Sequence, residues 1–148
     1  MIPLYVLVAD FVLFLLLGHF GVLYFQAGQH ALRAALGIMF LLTASAHWGR
    51  RRPDLIAMVP ASFPNAPMMV TFTGIAEIAG AVGLQIPAVA PFAAMSLFVM
   101  LIAIFPANVF AARHLLSVGG RSVPALVPRT LIQIIFLVAL WVAAFTRL

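Results

Sequence analysis

Three carboxylates, Asp10, Asp54 and Glu77, and four histidines, His19, His30, His47 and His114, are the side chains of this chain suited to proton chemistry near neutral pH. Glu77 stands out among them. It falls near the middle of an apolar run, where a carboxylate is costly to place in hydrocarbon and usually marks a site. At helical spacing Thr73, Gly74, Gly80, Ala81 and Leu84 share its face, and the small residues among them let a second helix come close. That face should point inward. An acid so placed either gives up its charge or pairs with a donor, so it can act as a proton-handling or ligand-orienting group, or as interhelical glue.

His47 is the companion candidate, at the end of the preceding apolar run, with Asn108 at the same end of a later one. Counting about 1.5 Å of rise per residue sets Glu77 deeper than His47, so contact needs a descending cavity or a tilted helix. Asn108 has a simpler use beside Pro106, which strips a backbone carbonyl of its partner. Asp10 and His19 fall on opposite faces of one helix, so Asp10 is expected to bond another helix. Gln85 and Gln133 read as packing polar groups, and the scattered histidines make no metal site. No phosphate loop, dinucleotide glycine pattern or nucleophile elbow occurs.

The elements that must position these groups are read from composition. Of 148 residues, 66% are hydrophobic and 7% charged, far below the charge of a water-soluble surface. The expectation is an all-α transmembrane bundle in a single domain, with about five helices of roughly 20 residues each. They are predicted over 3–25, 31–48, 68–86, 89–110 and 125–145. The apolar start is too long for a cleaved leader and reads as a retained helix. Residues 49–67 carry Arg50, Arg51, Arg52, Pro53, Pro60, Pro64 and Pro67, and those prolines argue against regular helix. Leu55, Ile56, Met58, Val59 and Phe63 suggest that this connection folds back over the bundle mouth. Pro87 closes a tight turn that makes the third and fourth helices a hairpin.

All eight basic side chains are arginines, and they fall between apolar runs with no recognition motif, which excludes nucleic acid as a partner. Their distribution is an orientation signal. Arg50, Arg51, Arg52, Arg113, Arg121 and Arg129 share the side of the long connections, against Arg33 and Arg147 opposite. Cytoplasmic loops retain arginine, so the N-terminus and long connections are expected inside and the C-terminus outside. Trp48 and Trp141 fall near helix ends, at headgroup level. With no cysteine, thiolate metal sites and thiol relays are excluded.

Several motifs come in a recognisable order: the run 34–42 leading to His47-Trp48, then Met58-Val59-Pro60, then Phe63-Pro64-Asn65-Ala66-Pro67. Thr73-Gly74-Ile75-Ala76-Glu77-Ile78, Gly83-Leu84-Gln85-Ile86-Pro87 and Phe105-Pro106-Ala107-Asn108-Val109 follow. Over roughly residues 31–112 this resembles the DoxX-like family of small bacterial membrane proteins. The family's motifs map onto His47, Pro60, Glu77, Pro106 and Asn108, and the resemblance makes the first helix an extension of a four-helix core. It implies an inner-membrane accessory part of a redox or stress-response assembly; the thiol redox work of some relatives does not carry over to a chain without cysteine.

Glu77, His47, Asn108, Thr73 and Pro60 are therefore the expected ligand-binding residues, with Glu77 and His47 the catalytic candidates. The leading expectation is a non-catalytic subunit or binding module for a small apolar ligand of the quinone type, associated with a membrane redox protein. No cofactor is called for beyond a bound quinone or lipid, and the small-residue faces suit a homodimer. An intramembrane enzyme, such as an isomerase using Glu77 and His47 on an apolar substrate, is the first alternative. A small proton-coupled carrier is the second, disfavoured because no inverted repeat is visible.

Overall fold

The structure, a computed structural model, describes residues 2–114, 116–122 and 124–146. Helices α1 (Ile2–His19), α2 (Gly28–Ser45), α4 (Ala66–Gly83), α5 (Ala90–Ala103), α6 (Phe105–Arg113) and α7 (Leu126–Phe145) form an all-α bundle. A short helix, α3 (Arg52–Ala57), and a two-stranded antiparallel ribbon, β1 (Ser117–Val118) and β2 (Arg121–Ser122), occupy the long connections. Four segments, Ile2–His19, Ala66–Gly83, Ala90–Arg113 and Leu126–Phe145, are long and apolar enough to cross a membrane.

The fifth long helix, α2, is as long as α1 but carries Gln29, His30, Arg33 and Thr43, so it earns its place by enclosure instead of apolarity. It packs against α1, α4 and α7. Leu36, Met39 and Phe40 of α2 meet Leu84, Leu97 and Leu140 in the core, all essentially without exposure. The outer surface inverts the soluble rule. Phe92 is 78% exposed and Phe72 69%, which is tolerable only against hydrocarbon. The chain is an integral membrane protein.

Local chemistry sets the helix ends. α1 stops at His19 instead of continuing to residue 25, because Gly21 takes a positive φ of 103° and the chain turns into a short 3-10 segment, Leu23–Gln26. α4 starts where Asn65, at φ 51°, accepts the Met68 N–H on its side chain, with Pro67 in the first turn. The predicted fourth span is two helices. Pro106 lacks an N–H and crowds the preceding turn, so α5 ends at Ala103 and α6 restarts at Phe105. The expectation of no regular helix in 49–67 is corrected: Pro53 falls in the first turn of α3, where no N–H is needed, and Asp54 favours that end.

Candidate functional site

Where α2 ends, the chain does not leave the bundle. His47, two residues beyond α2, lies along the first half of α4. Its Nδ1–H donates to the Val70 carbonyl at 2.6 Å, with the Thr73 hydroxyl 3.5 Å away. The Val70 carbonyl can only accept, so it fixes the proton on Nδ1 and turns Nε2 toward Glu77. His47 Nε2 and Glu77 Oε2 are 3.7 Å apart, and the Thr43 hydroxyl donates to the same carboxylate oxygen at 2.9 Å. Glu77 is 6% exposed and His47 9%.

This contact needs neither a descending cavity nor a strongly tilted helix. Side chains on a helix lean toward its N-terminus, so the Glu77 carboxylate reaches back about one turn toward the end of α4 that His47 occupies. Gly74 makes the approach possible. A Cβ built on it would come within 2.7 Å of His47 Cβ and of the Trp48 ring. Burial pushes the His47 imidazole toward neutrality, but the Glu77 carboxylate and Val70 carbonyl outweigh that and the nearby Arg52 charge. Its pKa is displaced upward from the ordinary 6.5.

Arg52 holds the cover over this pair. Its guanidinium donates to the carbonyls of His47 (2.8 Å) and Pro67 (3.0 Å) and to the Thr71 hydroxyl (2.8 Å). α3 packs on α4, and Asp54 accepts the Gly119 N–H of the ribbon at 2.8 Å, so the two long connections are tied together. The connection thus folds back over the bundle, as its apolar residues suggest.

Of the expected site residues, Glu77, His47 and Thr73 come together. Asn108 does not join them: it donates to Gln133 Oε1 at 3.0 Å and accepts from Arg129. Gln133 in turn donates to the Leu101 carbonyl at 2.8 Å, in the last turn of α5 just before the break at Pro106. Pro60 lies in the covering connection, where its carbonyl accepts the Phe63 N–H. The expectation that Asp10 bonds another helix is corrected, since its Oδ2 is enclosed without a hydrogen-bond partner.

Thr43 and Arg52 were not foreseen in these roles. Thr43 was legible in principle, one helical turn before His47, whereas Arg52 was hidden inside a run that reads as a topology anchor. Arg33, counted as an orientation signal, is 6% exposed, and its Nε–H donates to the Ala143 carbonyl at 2.9 Å. Arg147 lies outside the described residues.

Two grooves flank this architecture. One follows the α2–α4 seam, lined by Ala34, Gly37, Ile38, Leu41, Ala81 and Gln85. Ala81 and Gln85 continue the helical face of Glu77 at four-residue steps, so the groove ends about one turn from the buried pair. Glu77 itself is not part of its lining. The second groove is bounded by α1, α2 and α7.

Fold and site together define a multi-pass helical membrane protein with a buried acid–imidazole pair at a helix seam. The chain belongs to the family described as Domain of unknown function (DUF8561), which matches residues 36–145. That stretch takes in Thr43, His47, Arg52, Glu77, Asn108 and Gln133 and leaves out α1. No curated protein and no solved structure matches the chain.

Proposed function

We propose that this protein is a non-catalytic module of the bacterial inner membrane. It holds a small apolar ligand of the quinone type in the α2–α4 groove and serves as an accessory part of a membrane redox assembly. The observation that carries the reading is an apolar groove that ends about one turn from the buried Glu77 carboxylate. The Thr43 hydroxyl and the His47 imidazole both lie against Glu77 Oε2, which holds the acid in place at the seam. An apolar slot with a fixed polar group near one end suits a ligand that is held, not converted. The link to redox assemblies rests on the DoxX-like resemblance.

Ile38 lines the groove and is 42% exposed, so Ile38→Trp should fill the slot without disturbing Glu77. The wild-type protein, taken from native membranes in mild detergent, is expected to carry an extractable quinone and a partner protein, and Ile38→Trp to lose the quinone. A wild-type preparation holding only lipid would end this reading. The intramembrane enzyme remains the second reading, favoured by the 3.7 Å Glu77–His47 approach. It requires an apolar substrate to consume or release a proton in a reaction abolished by Glu77→Gln.

The orientation keeps the long connections cytoplasmic. With Arg33, Arg52 and Arg129 engaged by other residues of the chain, Arg50, Arg51, Arg113 and Arg121 still outnumber Arg147 opposite. Because the chain has no cysteine, a single Ser62→Cys, at an exposed position, reports the side directly. An impermeant thiol reagent should label it only after the cells are opened. Labelling of intact spheroplasts would reverse the topology.

A further inference from the structure

We infer that Arg33 and the groove between α1, α2 and α7 bind one anionic phospholipid, its phosphate at the guanidinium and an acyl chain in the groove. The first observation is a cation out of place. Arg33 is 94% removed from solvent, yet among the described residues no carboxylate comes within ion-pair distance of it. Its Nε–H donates to the Ala143 carbonyl, which Gln29 shares at 3.1 Å; Gln85 meets only the Arg33 backbone, at 3.0 Å. That carbonyl belongs to the last turn of α7, whose partial negative charge is a fraction of a unit and cannot balance a full positive one.

The terminal guanidinium nitrogens donate to no described group. They are not sealed either, since Asp10 Oδ2 is the enclosed side-chain polar atom left without a partner among the described residues. A forked donor near a helix end, its terminal N–H groups without a described partner, matches a phosphate in geometry and charge.

The second observation is independent. Phe11 of α1, Leu32 of α2 and Ile134, Ile135, Val138 and Val142 of α7 line an apolar groove. The Arg33 Nε–H bond to the Ala143 carbonyl sets the guanidinium at the α7 turn that carries Val142, so the groove runs up to the cation. A headgroup contact joined to an apolar channel is the pattern of an amphiphile, and a free anion would leave the channel without use. This lipid lies away from the α2–α4 slot, so the two assignments stand or fall separately.

The test uses the full chain in detergent, loaded with phosphatidylglycerol or phosphatidylcholine of identical acyl chains, with bound lipid counted by native mass spectrometry. The wild type should retain one phosphatidylglycerol in preference to phosphatidylcholine. Arg33→Gln should reduce that preference about tenfold, the loss of one charge-assisted contact. Arg33→Gln also removes a helix cap, so Val138→Trp provides the second arm. Val138 is 57% exposed, and the indole should fill the groove, keep the fold and expel the lipid. Equal retention of both lipids, retention unchanged in both variants, displacement by inorganic phosphate, or a dimer mass in place of the adduct would each overturn the assignment.

Discussion

His47→Ala should destabilise the bundle by about 3–5 kcal/mol, the usual loss when one member of a buried ion pair is removed and the other is left behind. Glu77→Gln should cost far less, about 1 kcal/mol, even though it alters the acid itself. The amide still accepts from Thr43 and offers an N–H toward the imidazole Nε2. What decides the order is the stranded group. Interhelical hydrogen bonds in membranes average only about 0.6 kcal/mol, so losing a bond is minor beside leaving a buried carboxylate with the Thr43 hydroxyl as its remaining partner.

The same pair gives the bundle a pH dependence of definite sign. His47 holds its proton more tightly in the folded chain than in the unfolded one. Its contribution is therefore complete below the ordinary value of 6.5 and fades as pH rises through the elevated folded value. Thermal melts in one detergent at several pH values should show wild-type stability falling above that point and a flat profile for Glu77→Gln. Equal losses for the two variants, or a slope that survives in Glu77→Gln, would mean that the pair is not the group being titrated.

Much of this arrangement is legible in the sequence because oil imposes few solutions. A run of apolar residues must be helical to satisfy its backbone, and a lone acid within it must face protein. The inward set read from Glu77 holds on those grounds: Gly74, Gly80, Ala81 and Leu84 are all buried. The meeting of His47 with Glu77 was harder to see. Depth counted by helical rise treats side chains as points on the axis, and a glutamate reaching back along its helix removes most of the apparent gap.

Arginine misleads for a different reason. Counted by position, Arg33 and Arg129 are topology signals, but a guanidinium near a helix end can instead be drawn inward to a carbonyl or an amide, as both are. Such a choice depends on which helix end lies opposite, and that is tertiary information. Asp10 shows the limit from the other side. Its type and place in α1 called for a partner on another helix, and the packing supplies none to Oδ2.

Gly74→Val is expected to be the most damaging single substitution at the seam, for steric and not electrostatic reasons. The added Cβ would stand 2.7 Å from His47 Cβ and from Trp48 Cη2. Neither neighbour can yield easily. The imidazole is tied to Val70 and faces Glu77, and Arg52 grips the His47 carbonyl. Overpacking a fitted seam costs about 1–3 kcal/mol, and prying His47 away adds the penalty of the exposed acid.

Gly49→Ala is the matched control, because a Cβ there meets only the Ser45 carbonyl at 3.5 Å, an ordinary contact, and should change stability by less than about 0.5 kcal/mol. The two explanations of the valine's effect separate by pH. If Gly74→Val acts by displacing His47, it removes the alkaline loss of stability along with the stability itself. If the slope persists at a lowered melting temperature, the pair has survived, and the valine strains α4 against Trp48 alone.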